Sequence, residues 1–113
     1  MKVVRGVPTE RVSEQLSVKR LTEELGAEKL CANVWTLAEG SMVKHLHREQ
    51  EELYLVLEGS AQITVDGTIH KLDERDTIAV PAGAERQLAN TGWGPLTFLA
   101  VAAPGVEGDV EML

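Results

Sequence analysis

Three residues near the middle of the chain, His45, His47 and Glu52, have the types and spacing of a metal site. Alternate side chains of a β-strand point to the same face, so His45 and His47 project together. Glu52 begins a second apolar run, which also has the composition of a strand. Two imidazoles and a carboxylate are the ligands of the 2-His-1-carboxylate facial triad, which leaves coordination positions open. The spacing therefore predicts a divalent metal at these three residues.

Composition and charge indicate the class of protein. The chain has 113 residues, of which 43% are hydrophobic and 26% charged, as expected for one globular domain. Its net charge of −7 argues against nonspecific nucleic-acid binding and against docking on anionic membranes. The N-terminus lacks the apolar stretch of a signal peptide, and the single cysteine, Cys31, fits a reducing compartment. We therefore expect a cytoplasmic protein with no nucleic-acid or membrane partner.

Short runs rich in Val, Ile, Leu and Thr follow residue 29, separated by turn residues as in a β-sandwich or β-barrel. The predicted strands cover residues 29–37, 42–47, 52–58, 60–65, 68–72, 77–80, 86–90 and 96–102. Asp66-Gly67 predicts a type I′ hairpin, because both central positions of that turn need positive φ. Residues 1–28 are less regular. They predict either an irregular arm or an arm that contains one or two helical turns ending at Gly26.

The strand that begins at Glu52 is apolar on both faces apart from Glu52 itself. A strand of this kind must be covered on both sides. If one face lines a barrel, either the N-terminal arm or a second subunit must pack on the other. This strand is the main reason to expect a homodimer, and cover by the arm alone is the alternative.

The stretch that contains the candidate ligands resembles the first motif of the cupin family. That motif is G-x5-H-x-H, then three or four residues, then E-x6-G. The spacing from His47 to Glu52 and from Glu52 to Gly59 fits it. Gly40 is followed by four residues rather than five before the first histidine, and this departure lies in a loop.

A later stretch resembles the second cupin motif, G-x5-P-x-G-x2-H-x3-N. Three residues are in register with it, namely Pro81, Gly83 and Asn90. Two residues depart from it. Arg75 stands where the family has glycine, and Arg86 stands where the family has its last metal-binding histidine.

The resemblance implies an all-β fold, a small jelly-roll β-barrel (double-stranded β-helix) that is usually dimeric, with a metal pocket inside one end. The predicted organisation is an N-terminal arm over residues 1–28 and a barrel domain over residues 29–113. The expected cofactor is a divalent metal ion, Fe, Mn, Ni or Zn, because imidazole and carboxylate suit all of these.

Arg86 raises a question about this site, because arginine is always a donor and cannot ligate a cation. In a first outcome, the triad binds metal alone, and Arg86 swings aside or holds an anionic substrate. In a second, Arg86 pairs with Glu52, lowers the pKa of that carboxylate and replaces the metal. In a third, a one-residue bulge turns Gln87 inward and Arg86 outward.

Three functional hypotheses follow. The first is a metal-dependent, dioxygenase-like or isomerase-like enzyme acting on a small, anionic molecule. In that enzyme Glu52 serves as general base if the metal leaves it free, and Arg86 clamps a carboxylate or enolate oxygen. The second is a noncatalytic, metal-free module on the same barrel that stores or senses a small anion or sugar. The third is a barrel whose pocket is filled by the Arg86–Glu52 pair, and fold alone does not decide among these.

Other polar and aromatic residues have simpler interpretations. We expect His70 and Trp93 at the surface, and Trp35 in the core or the pocket wall. Tyr54 is expected there too, and the loop that includes Gln50 is expected to be solvated.

Overall fold

Eleven β-strands and one short helix make up the computed structural model, which describes residues 1–113. The strands are β1 (Glu10–Arg11), β2 (Leu16–Arg20), β3 (Cys31–Leu37), β4 (His45–His47), β5 (Glu51–Glu58), β6 (Ala61–Val65), β7 (Thr68–Leu72), β8 (Thr77–Val80), β9 (Arg86–Asn90), β10 (Leu96–Ala103) and β11 (Val110–Met112). The helix α1 covers Leu21–Leu25 and is far too short to cross a membrane. The predicted all-β class is confirmed.

The strands form two antiparallel sheets that pack face to face. The first has the order β1-β2-β3-β10-β5-β8, and the second has the order β11-β4-β9-β6-β7. Side chains alternate along β10, so that Leu96, Phe98 and Ala100 point into the core. Twelve buried residues from both sheets form one hydrophobic cluster. This arrangement is the predicted jelly-roll barrel.

Most predicted strand boundaries agree with the structure to within two residues. The exception is β4, which begins at His45, because the chain before it makes only an isolated bridge between Ser41 and Ala89. The predicted hairpin is confirmed: Asp66 and Gly67 have φ of 46° and 82°, and the strands on either side are paired. Arg75, at the position of the family's glycine, keeps a left-handed φ of 72°. The backbone conformation of that turn is therefore retained although the residue has changed.

The N-terminal arm is partly regular. Helix α1 ends at Gly26, which adopts the left-handed conformation at φ 70° and donates its N–H to Thr22 O at 2.8 Å. The predicted helical turn is therefore present. Strand β2, which the sequence did not predict, pairs along β3 and extends the first sheet. The division between arm and barrel at residue 28 stays a prediction.

The two faces of β5 differ in how well they are covered. On the inner face Tyr54 and Val56 are buried, being 4% and 1% exposed. On the outer face Leu53 and Leu57 are 39% and 47% exposed. Strands β1 and β2 of the arm extend the first sheet beyond β3, on the side away from β5, and the exposure of the two leucines shows that the arm leaves them largely uncovered. An apolar outer face is left uncovered by the chain itself.

We expect Gly59→Ala to destabilise the fold more than Gly67→Ala. Both glycines have left-handed φ, of 91° and 82°, which costs an L-residue roughly 1–2 kcal/mol. A Cβ at Gly59 would also lie 2.6 Å from Pro95 O, whereas one at Gly67 meets nothing within 4 Å. The clash should add about 1–3 kcal/mol at Gly59, measurable by urea denaturation. Equal losses for the two variants would contradict the close approach of these backbones.

Candidate metal centre

The three candidate ligands come from strands of different sheets. Strand β4 carries His45 and His47 and lies between β11 and β9 in the second sheet, whereas β5 carries Glu52 in the first. His47 Nε2 lies 3.4 Å and His45 Nε2 lies 4.0 Å from Glu52 Oε1. The ligand atoms of all three residues lie within 4.8 Å of one another. The structure therefore brings together the three residues that the sequence singled out.

Arg86 lies directly beside this group and faces inward. Its side chain is 0% exposed, and Nη1 donates to Glu52 Oε1 at 3.1 Å. The rest of the guanidinium donates to carbonyl oxygens, with Nε bonded to Ala84 O at 3.1 Å and Nη2 to Pro81 O at 3.2 Å. On β9, Arg86 is paired with His45 of β4. The structure thus shows the ion pair of the second outcome, and no bulge turns Gln87 inward.

Tyr54 is the fifth member of the group. Two residues after Glu52 on the same strand, it points to the same face and donates its hydroxyl to Glu52 Oε1. Arg86, Tyr54 and both histidines all approach Oε1, and no hydrogen bond is made to Oε2. The sequence predicted Tyr54 only as core or pocket wall, so this contact was missed.

The ionisation of Glu52 follows from these neighbours. Burial by itself raises the pKa of Glu52, but the interactions with His47 and Tyr54 and the charge of Arg86 outweigh it. The pKa of Glu52 therefore lies below its ordinary value, and the side chain is a carboxylate. Burial and the adjacent Glu52 raise the pKa of Tyr54 far above its ordinary value, so the phenol stays a donor.

His45 is held with one nitrogen turned toward the group. Its Nδ1 is 2.9 Å from Val43 O, and because a carbonyl can only accept, Nδ1 carries the proton. That tautomer leaves a lone pair on Nε2, the nitrogen facing Glu52. Burial lowers the pKa of His45 despite opposing effects of Val43 and Glu52, which favours the neutral imidazole.

His47 is buried, and neither of its ring nitrogens has a hydrogen-bond partner. Its Nδ1 lies 3.9 Å from Asp109 Oδ2, beyond hydrogen-bonding distance. Asp109 itself is fixed by the backbone N–H groups of Glu49 and Gln50, which donate to its carboxylate at 2.9–3.2 Å. Burial of Asp109 acts to raise its pKa, but these N–H groups lower it below the ordinary value. A buried polar ring without partners is costly, which points to a partner that binds there.

These residues fit a divalent metal. Unpartnered nitrogens of His47, the free Nε2 of His45 and the ionised Glu52 form a nitrogen and oxygen donor set. Arg86, which stands at the motif position of the fourth ligand, is held by Ala84 and Pro81 and makes no hydrogen bond to Oε2 of Glu52. The donor set is therefore that of a three-residue site.

Gln50 shows where the sequence-based interpretation was wrong. It was expected in a solvated loop, but it is only 4% exposed. Its N–H donates to Asp109, and its side-chain amide donates to Pro104 O at 2.8 Å. Both partners are far away in the sequence, so no local motif could have indicated this. His70 and Trp93 are exposed, as predicted.

Comparison with known proteins gives the family. A family model described as a cupin domain matches residues 33–102. The chain belongs to the cupin family. The matched residues include all five members of the group around Glu52, so the cupin resemblance of the two motifs is confirmed.

Several curated proteins contain a cupin segment similar to this chain. The mannose-1-phosphate guanylyltransferase of Escherichia coli K12 is 33% identical over 88 residues, which is 78% of this chain and 16% of that protein. The corresponding enzyme of Klebsiella pneumoniae is 30% identical over 74 residues. This cupin chain spans only 16% of the length of these relatives.

Solved cupin structures have the same barrel. A sugar phosphate isomerase of the cupin superfamily from Silicibacter pomeroyi is 31% identical, with a TM-score of 0.73 over 80% of this chain and 60% of that one. The polyketide cyclase RemF from Streptomyces resistomycificus has a TM-score of 0.83 over 100% of this chain and 85% of that one. At 24% identity, that second likeness shows the fold alone.

We expect Arg86→Leu to lower the free energy of unfolding by about 3–5 kcal/mol, because it leaves the buried Glu52 carboxylate without its cation. A matched control is Arg48→Leu, which breaks a surface pair with Glu111 at 3.4 Å and should cost at most about 1 kcal/mol. Urea denaturation of both variants measures the difference. Similar losses for the two would show that the Arg86–Glu52 pair does not stabilise the barrel.

Proposed function

We propose that this protein is a small cupin that binds a divalent metal through His45, His47 and Glu52 and a small, anionic molecule beside it. The metal is Fe, Mn, Ni or Zn, and the protein works in the cytoplasm. The observation that carries the proposal is the buried imidazole of His47, whose two nitrogens lack partners next to an ionised carboxylate. Such a site is costly unless something binds in it.

The roles of the residues follow from their contacts. His45 and His47 present ring nitrogens, and Glu52 supplies the only carboxylate among the three ligands. A metal bound there would act as a Lewis acid toward a ligand oxygen, as in dioxygenase-like or isomerase-like chemistry. Glu52 is the candidate general base. Tyr54 is a donor on the same wall, and Arg86 acts through Glu52, whose carboxylate it fixes.

A metal-free binding module is the second candidate, favoured by the Arg86–Glu52 pair. That pair already compensates the buried carboxylate at 3.1 Å and needs no metal to do so. In this case the pocket around Glu52 would bind its ligand through the hydroxyl of Tyr54 and the imidazoles of His45 and His47 alone. Metal content separates the two candidates.

We expect the untagged protein to retain about one metal ion per chain after incubation with Fe, Mn, Ni or Zn salts and desalting. His47→Ala should lose the metal, because two ligands remain. His70→Ala is the matched control, since His70 is an exposed histidine outside the site, and it should retain the metal. Elemental mass spectrometry measures the number of metal ions per chain. A wild-type protein that stays metal-free with all four salts would favour the metal-free module.

Arg86→His provides a second variant for the same measurement. It places an imidazole where a cation now stands, so metal retention against a chelator should increase. If the substitution leaves retention unchanged in a folded protein, Arg86 does not occupy the fourth ligand place.

We also propose that the protein is a homodimer through the outer face of the first sheet. Leu55 on β5 is paired with Leu99 on β10, which is paired in turn with Val34 on β3. Directly paired residues share a face, so these side chains form an apolar row beside the exposed Leu53 and Leu57. A second copy of the sheet would cover this face.

We expect Leu53→Lys combined with Leu57→Lys to convert the dimer to a monomer, because two charges would be buried at its centre. Sedimentation equilibrium should give about twice the chain mass of 12.3 kDa for the wild type and about that mass for the variant. Ile69→Lys is the control, since Ile69 is 62% exposed on β7 of the other sheet. A monomeric wild type would overturn the proposed interface.

A further inference from the structure

One cavity of the barrel is lined by all three candidate metal ligands, and more than half of its lining residues are hydrophobic. Its volume is about 770 Å³, and 14 of its 24 lining residues are hydrophobic. This volume falls in the range of small-molecule sites. The lining includes the cluster already described, with His45, His47, Glu52 and the hydroxyl of Tyr54. Other polar residues also line it, namely Ser13, Gln15, Asn33, Glu39, Ser41 and Gln50. The cavity therefore has a mostly apolar wall and a polar end at the metal centre.

The apolar walls are flat and aromatic next to that polar end. Trp35 and Phe98 are paired across β3 and β10 and both line the cavity. The rings of Phe98 and Tyr54 lie with centroids 6.0 Å apart. Ala100 is paired with Tyr54 and contributes only a methyl group, as does Ala102 beside Glu52. The cavity adjoins both alanines, so it leaves space beside the rings of Phe98 and Tyr54, and we call this space the slot. Another ring can pack there.

Cations are missing from the cavity lining. None of the 24 lining residues is a lysine or an arginine, and Arg86 is sealed behind Glu52. A phosphate group carries up to two negative charges and is bound by Arg, Lys or helix N-termini. A second cavity of about 750 Å³ contains Arg20, but that arginine is already paired with Glu10 at 2.8 Å. Neither cavity offers a phosphate its usual partners.

We infer that the ligand of the barrel cavity is an apolar, ring-containing molecule with one anionic oxygen head at the His45–Glu52 end, and not a phosphorylated sugar. The inferred position of the anionic head depends on the proposed function, whereas the inferred apolar body depends only on the residues that line the cavity. Burial of a ring against Trp35 and Phe98 supplies the affinity, and the head fixes the orientation.

The chain offers a reporter for this cavity. It contains two tryptophans, Trp35 in the wall and Trp93, which is fully exposed in a loop. The variant Trp93→Phe, labelled with 5-fluorotryptophan, carries fluorine only at residue 35. Its ¹⁹F resonance reports binding inside the barrel without optical interference from an aromatic probe.

We expect 2-naphthoate to shift the Trp35 resonance in a saturable titration, and α-D-mannose 1-phosphate at equal concentrations to leave it unchanged. Naphthalene-2-methanol, which has the same body and a neutral head, should bind at least about tenfold more weakly, a difference of about 1.4 kcal/mol. Ala100→Leu, which narrows the slot, should weaken 2-naphthoate at least about tenfold. If Ala100→Leu unfolds, the variant Ala102→Leu is used in its place.

The inference is overturned if the sugar phosphate shifts the resonance and 2-naphthoate does not, or if neither does. Metal content measured on the same samples keeps the two proposals apart. If the protein retains metal but does not bind 2-naphthoate, the proposed function is supported and the inference of an apolar ligand is wrong. If a protein that retains no metal binds 2-naphthoate, the inference of an apolar ligand is supported and the proposed metal site is wrong.

Discussion

One oxygen atom, Oε1 of Glu52, holds the functional end of this barrel together. Arg86 and Tyr54 donate to it, and the imidazoles of His45 and His47 lie within 4.0 Å of it. A buried carboxylate is stable only when its charge is compensated and its lone pairs are used. The first sheet supplies the carboxylate and the second supplies the cation, so the ion pair joins the two sheets at the metal centre.

The rest of the site follows from that arrangement. Arg86 and His45 are directly paired across β9 and β4, so both side chains share the face of the second sheet that is turned toward Glu52. Strand β11 closes the other edge of β4 and brings Asp109 to the Nδ1 side of His47. The short ligand strand is thus fixed on both sides, and the cavity opens toward the apolar inner face of the first sheet.

The sequence predicted the parts of this structure that depend on local pattern. Runs rich in Val, Ile, Leu and Thr and the turn at Asp66-Gly67 predicted the strands, and strand parity and motif spacing predicted the placement of His45, His47 and Glu52. Which way Arg86 would turn was not predictable, because an ion pair, a displaced side chain and a bulge were all compatible with the same letters. Asp109 and the buried Gln50 depend on a contact between distant segments, which no window of sequence contains.

The fixed position of Arg86 has an electrostatic consequence for whatever enters the cavity. If residue 86 were a neutral histidine, the side chains around the ligand position would carry one negative charge, that of Glu52. With arginine there, the formal charges of Glu52 and Arg86 cancel, and the group is neutral. A divalent cation on these ligands would keep more of its own positive charge, so it would be bound less tightly and would attract a negatively charged head more strongly. In the proposed site, this buried arginine, which does not line the cavity, would thereby influence the charge of the ligand that the cavity accepts.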